Sequence, residues 1–378
     1  MIWLRLTVGV EEEFLLADPV SGATAAGADK LLLRAAEHPF HASGGRYHRE
    51  LLACQVEAAT GVCGPLDDVS RQLRGARESL GAAADGAGLL LVSAGTPVLP
   101  GRVPVSGGDE RYDAIAAMYA GVAADYQVCG CHVHVGVDDR EAAVAVVNHL
   151  RPWLPTLLAL SANSPYGHGR DSGYASWRMI EQARFPGAGV PPVFASAAEL
   201  DRSVARLVDC GVIADPAMSF WLARPSPRYP TVEVRAADAV ATAEEAVLQA
   251  AVTRGLVRAA LDDLASGREA PPVDPGVCAA AVWNAARHGL EGPGVHPFEE
   301  RQVPVSRLLD ELMHHIGPAL EDAGDLEAVQ SLLAWLSRAG SGARRQRAAA
   351  SGGPRAVVGM LARQTTGTRE RIGRPHER

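Results

Sequence analysis

Three segments of this chain alternate apolar and polar side chains with the period of a β-strand, and each gathers its charge on one face. The first is "TVGVEEEFLL", Thr7 to Leu16. Val8, Val10, Phe14 and Leu16 form its apolar face, and Gly9, Glu11 and Glu13 share the other. Glu12 falls on the apolar side, so an arginine from a neighbouring element is expected to meet it. Glu11 and Glu13 lie roughly 7 Å apart, twice the rise per residue. That spacing suits separate cations better than a shared proton. Buried carboxylates repel one another and lose hydration, so such a face requires positive charge.

The second strand is "QVCGCHVHVGV", 127–137. Cys131, Val133, Val135 and Val137 alternate with His132 and His134, and Gly130 and Gly136 flank the histidines with room for a ligand. Paired histidines between small residues point to metal or phosphate binding. Cys129 and Cys131 lie on the opposite face and read as core. The third strand, "YPTVEVRAAD" (229–238), puts Val232 and Val234 on one side and Glu233 and Arg235 on the other. A carboxylate beside an arginine is either a cross-strand ion pair or a metal ligand next to an anion-binding group. A fourth segment, "RELLACQVEAATG", holds Glu50 and Glu57. Seven residues apart, they share a face on a helix, or on a strand only if it is bulged or bent. Glu11, Glu13, Glu50, Glu57, Glu233 and His132 form a carboxylate-rich set that favours Mg²⁺, or Mn²⁺, over zinc. Several hard cations on one face call for a polyanionic ligand, and nucleotide phosphates are the foremost candidate.

Composition removes other routes to phosphate. Lys30 is the only lysine and lies in no GxxxxGK[ST] loop. Metals and arginines must then hold the phosphates. A net charge of −8 gives no general attraction to nucleic acid or anionic membrane. Six scattered cysteines without a signal peptide suggest a reducing compartment, and no apolar run is long enough to span a bilayer. A cytoplasmic protein is expected.

Residues 66–87, 110–126 and 196–210 carry helical patterns, the last opened by a capping box of Ser196 and Glu199. Residues 140–162 form an apolar helical pattern that Pro152 and Pro155 should break. "LLLVSAGTPVLPG" reads as a buried strand ending in a turn, and 163–174 as loop. From about 243 the chain is mostly helical, with breaks near 268–275 and 291–303. Residues 342–378 carry nine arginines against two glutamates, either a solvated basic tail or a contribution to polyanion binding. The expected organisation is one catalytic domain over 1–366, with a disordered basic tail at 367–378.

"GVEEEFLL", "RELLACQVEAATG", "CGCHVHVGV", "ANSPYGHGRDSGYASWR", "PTVEVRAADA" and the final "GARRQRAAASGGPRAVVGMLARQT" together resemble the carboxylate-amine ligase family related to glutamate–cysteine ligase type 2. The resemblance covers about 5 to 366. More distantly, the segments are similar to the glutamine synthetase superfamily. The implied fold is α+β: a curved, mainly antiparallel sheet with the active site on one face and helices on the other. The resemblance implies one metal on Glu13, Glu50 and Glu57 and a second on Glu11, His132 and Glu233, with a third sharing Glu11 and Glu233. It places Arg235 at the transferred phosphoryl group and His134 toward the nucleotide or acceptor. Arg235, Glu233 and Glu57 are its implied catalytic residues. Asn163, Arg170 and Arg178 join His134 and Arg235 in cofactor binding, in a loop that could close over an acyl phosphate. Gly167-His168 departs from the bulkier, more polar residues of many relatives, which bears on substrate contacts.

The implied reaction joins a small-molecule carboxylate, glutamate-like, to an amine at the expense of ATP. Weak glutamate–cysteine ligase activity would fit. The alternatives are a metal-dependent amide hydrolase and a nucleotide-binding sensor without turnover. A homodimer or higher homo-oligomer is expected to cover exposed sheet edges.

Overall fold

The computed structural model describes residues 6–37 and 44–367. The expected disordered tail therefore lies, apart from Gly367, outside the described residues. The main sheet has seven strands: β1 (Val8–Ala17), β2 (Arg46–Arg49), β3 (Gln55–Ala59), β4 (Leu90–Val92), β5 (Gly130–Gly136), β8 (Ala223–Pro225) and β9 (Thr231–Asp238). A separate hairpin pairs β6 (Tyr166–Gly167) with β7 (Arg170–Asp171). The main sheet runs β2-β3-β1-β5-β9-β8, with β4 pairing the far end of β1, and every pairing is antiparallel.

Alternation assigns the faces. Val8 and Val10 of β1, Val133 and Val135 of β5 and Val232 and Val234 of β9 are buried in one apolar cluster with the helices Arg140–Leu150, Leu154–Ser161 and Ala243–Ala265. Phe14 and Leu16 continue that face against the helices Ala28–Glu37 and Leu66–Ala87. The opposite face carries Glu11, Glu13, His132, His134 and Glu233. The fold is thus mixed α and β, with an antiparallel sheet backed by helices.

Local chemistry explains most helix ends. Asp139 caps Arg140–Leu150 by accepting from the amides of Glu141 and Ala142. The helical pattern across 140–162 does break at the prolines: one helix ends at Leu150 and the next starts at Leu154, with Pro155 in its first turn. The pattern over 110–126 is also two helices, Glu110–Tyr119 and Gly121–Ala124, parted by Ala120 at φ 46°. Ser196 accepts from the Glu199 amide as expected, but the Glu199 carboxylate reaches one residue further back, to the Ala195 amide. The reciprocal capping box is at Thr242 and Glu245, opening the long buried helix Ala243–Ala265.

Two expectations are corrected. Glu50 and Glu57 share neither a helix nor a bulged strand. Glu50 follows β2 and Glu57 lies in β3, so a hairpin reunites them. The arginine-rich stretch over 342–366 is no solvated tail. It forms the helices Gly342–Ala349 and Pro354–Thr366, and Val357, Val358 and Leu361 are buried against the sheet's periphery. Arg345 pairs with the buried Glu245 and Arg347 with Asp171. Neither arginine lines the site described next.

Candidate active site

The charged sheet face floors a cavity of about 1590 Å³. Register builds its floor. In β1 and β3 Glu13 stands opposite Glu57, and in β1 and β5 Glu11 stands opposite His132 and Gly9 opposite His134. His134 in turn faces Glu233 on β9. Between Cys131 and Val133 the pairing of β5 with β9 slips by one residue, a bulge with Arg235 and Ala236 opposite His132. Arg235 Nη1 consequently lies 3.4 Å from His132 Nδ1 and also bonds the Glu233 carboxylate.

Two donor groups result. One atom each from Glu13, Glu50 and Glu57 lie within 4.8 Å of one another, and so do atoms from Glu11, His134 and Glu233. The second group differs from the expected one: His134, not His132, completes it. His132 stands between the groups, 3.6 Å from Glu11 and 3.8 Å from Glu13. The strand count alone could not separate two histidines on one face; the offset between β1, β5 and β9 does.

Electrostatics set the two groups apart. Burial, then the Glu13 carboxylate, pushes Glu50 up to about 8. Burial and the carboxylates of Glu11, Glu50 and Glu13 push Glu57 well above the usual range. In the other group burial also opposes ionisation, but Arg235 and Arg224 hold Glu233 well below that range. Hydrogen bonds with His132 and His134 do the same for Glu11 against its burial. Burial and Arg235 lower His132, which keeps it neutral.

Glu12 is on the other face, 1% exposed, and is met by an arginine as expected. Arg77 of the helix Leu66–Ala87 grips it with two bonds, Nε to Oε2 at 3.0 Å and Nη2 to Oε1 at 2.6 Å. The same guanidinium donates to the carbonyls of Val240 and Ala241. Every part of this buried pair is therefore matched, which offsets its desolvation.

The long motif at 163–178 has a different role from the one its loop composition suggests. Asn163 is fully buried; its Nδ2 donates to the Ser93 and Ala239 carbonyls and its Oδ1 accepts from Gln346. Arg170 is exposed on β7. Neither lines the cavity. The motif instead folds around Asp238 at the end of β9, which accepts from the Asn163 amide and from the Ser164 and Ser176 hydroxyls. Ser176 also caps the helix Trp177–Gln182, and that helix delivers Arg178 and Gln182 to the cavity. Arg178 lies across Gly130, where an added Cβ would come 2.6 Å from its Nη2. Gly136 similarly makes way for Thr7. Both glycines make room for protein atoms, and Gly136 also lines the cavity.

A family model, described as glutamate-cysteine ligase family 2, matches residues 7–367. The chain belongs to that family. Its members are ATP-dependent carbon–nitrogen ligases. A relative from Saccharopolyspora erythraea, which carries the provisional name glutamate–cysteine ligase 2-2, is 57% identical over 95% of this chain and 92% of its own. Another from Mycolicibacterium vanbaalenii with the same provisional name is 47% identical over 91% of this chain and 93% of its own. Among solved structures, a bifunctional glutathione synthetase from Pasteurella multocida superposes with a TM-score of 0.70 at 15% identity, covering 96% of this chain and 52% of that one. The chain thus spans about half the length of that protein. Glutamate–cysteine ligase from Francisella tularensis, in complex with AMP, gives 0.68 at 12% identity, covering 97% and 90%. At such identities the likeness is one of fold.

Within this ligase fold the donor chemistry fits hard divalent cations. Five of the six donors are carboxylates, and no cysteine contributes. The sixth, His134, accepts or donates at Nδ1 with Thr231 Oγ1 at 2.9 Å, and its buried Nε2 faces Glu11 Oε1 at 3.4 Å. A proton on Nδ1 donated to Thr231 leaves that Nε2 lone pair free for a metal.

Sequence reasoning missed several cavity residues. Arg224 stands opposite Glu233 in β8 and donates to it from Nε at 2.8 Å. It lies in a proline-broken run with no alternation to mark it. Tyr126, Gln182, Phe185 and Phe220 also line the cavity. They arrive from three loops and a short helix, and no local pattern joins them. Among the described residues no helix is long and apolar enough to cross a membrane.

Proposed function

We propose that this chain joins a small-molecule carboxylate to an amine through an acyl phosphate, with ATP as phosphoryl donor. The supporting observation is the placement of two acidic donor groups on one sheet face, with Arg235 bonded to Glu233 and Arg178 lining the same cavity. Glu13, Glu50 and Glu57 would hold one Mg²⁺, and Glu11, His134 and Glu233 another. Bound there, the cations would supply charge neutralisation for phosphates during transfer.

The protein's own groups do the rest. Arg235 is kept charged by Glu233, and its guanidinium adds fixed positive charge where equatorial phosphoryl oxygens would gather electron density. Arg224 and Arg235 hold Glu233 ionised and in place. Neutral His132 fills the gap between the two groups without competing for anions. A carboxylate oxygen of the acid attacks the γ-phosphorus, the bond from γ-phosphorus to the bridging oxygen breaks, and ADP leaves. The amine nitrogen then forms the C–N bond, the C–O bond to phosphate breaks, and the ammonium proton passes to the departing phosphate.

Isotope transfer tests this. With the acid labelled by ¹⁸O in its carboxylate, released phosphate should carry one label per turnover. Phosphate without label, whichever acid supports amine-dependent ADP release, refutes the acyl-phosphate route. Product formation without ATP would indicate a hydrolase running in reverse.

A further inference from the structure

The cavity has two unlike ends. Along β5, His134 marks one end, beside Thr231, Tyr229 and Arg228. Gly130 marks the other, where its amide donates to Glu13 Oε2 at 2.5 Å. The lining beside His134 is Arg228, Tyr229 and Thr231, with Pro227 and Pro230 among them. The Glu13 end is walled by Leu51, Ile115, Tyr126, Phe185, Met218 and Phe220. Its rings are mutually packed: Phe185 meets Tyr126 edge-on at 4.6 Å and Phe220 at 4.6 Å.

Two polar groups in this apolar end have bonding capacity left over. Gln182 is 1% exposed; its Nε2 donates to the Phe220 carbonyl at 3.2 Å, and its Oε1 has no partner. Arg178 is 3% exposed; its Nη2 donates to the Arg235 carbonyl, its Nη1 lies 3.8 Å from Asp238 Oδ1 in an ion pair, and its Nε has no hydrogen-bond partner. The two are four residues apart on one helix and share a face. Arg178 keeps its charge matched by Asp238, but a buried acceptor left unmatched, as Gln182 Oε1 is, is costly unless a ligand completes it.

We infer that the Glu13 end is the acceptor subsite and takes an amine bearing an aromatic or bulky apolar group; this rests on the ligation reading above. The amine donates N–H to Gln182 Oε1, near the acidic group Glu13, Glu50 and Glu57. Its apolar group covers Phe220 and meets the edges of Phe185 and Tyr126, the arrangement aromatic rings favour. The Nε–H of Arg178 takes a carboxylate of the acid partner, which sets the two substrates side by side. An amine with a small side chain would leave the aromatic wall wet and forgo its burial.

The test is calorimetric titration of the full chain, with Mg²⁺ and a non-hydrolysable ATP analogue, by 2-phenylethylamine and by ethylamine. The aryl amine should bind at least tenfold more tightly. Phe220→Ala should abolish that preference and Phe220→Leu should reduce it, with melting curves to confirm that each variant folds. Equal binding of both amines, no binding of 2-phenylethylamine, or a preference undiminished in folded variants overturns the subsite. Hydroxamate formation from ATP, hydroxylamine and a panel of dicarboxylates tests the ligation reading separately, because hydroxylamine needs no apolar wall. Hydroxamate without aryl preference defeats this inference alone; aryl preference without hydroxamate defeats the ligation reading, and the acceptor assignment with it, while leaving an aryl-binding site.

Discussion

Glu11, Glu12 and Glu13 are neighbours in sequence with three different fates. Glu11 meets both histidines, Glu13 faces Glu57, and Glu12 is sealed on the other face with Arg77. Parity along one strand separates them, so their substitutions should separate too. Glu13→Gln should cut turnover by more than a hundredfold while the melting temperature stays near that of the parent protein. Glu12→Gln should do the reverse. It leaves the Arg77 guanidinium buried without its counter-charge, at a cost of about 3–5 kcal/mol, with kcat per folded molecule little changed. Paired melting and steady-state kinetics read both effects. Loss of turnover in folded Glu12→Gln would mean that the strand's two faces are not independent.

At the level of elements, the strands were legible because a half-buried strand writes its burial into the sequence every second residue. The hairpin that reunites Glu50 and Glu57 was not, because its turn, "LLAC", carries none of the usual turn residues. The bulge in β9 was invisible for a similar reason: it is defined by the partner strand. The motif at 163–178 was misplaced because it is rich in glycine and polar residues, which reads as a mobile loop. Its polar atoms in fact satisfy one buried carboxylate, Asp238, and fix the base of the helix that carries Arg178. Asp238→Ala should therefore raise the KM for the acid substrate about tenfold or more through misplacement of Arg178. Arg170→Ala, on the exposed hairpin, should leave both kcat and KM within about twofold. Initial-rate kinetics on the two variants decide between a scaffold and a phosphate-gripping loop.

For the whole molecule, the acidic face couples stability to pH and to cations. Glu50, pushed up to about 8, and Glu57, pushed higher than usual, bind protons in the metal-free fold that they release in the unfolded chain. Their stabilising contribution is full below the ordinary glutamate range and is lost as pH rises toward and through 8. His134, raised by Glu11 against its burial, acts in the same direction above its ordinary value. Glu233 and Glu11, held low, lose their contribution only in acid, and His132, also lowered, acts only below its ordinary value. Between about pH 6.5 and 8 the first set acts alone. The chelated protein should melt at progressively lower temperature across that window, and Mg²⁺ should raise the melting temperature more at pH 8 than at pH 6.5. A stabilisation by Mg²⁺ that is independent of pH would detach Glu50 and Glu57 from the cation. By itself the sequence determined which residues share a strand face, because side-chain direction alternates along the backbone, and from that came the acidic floor and the isolation of Glu12. Only the tertiary structure decided which histidine joins Glu11 and Glu233, that Arg77 is the partner of Glu12, and that Asn163 and Arg170 stay out of the cavity. Those outcomes depend on strand register and helix docking, and they join residues far apart in the chain, where no local periodicity reaches.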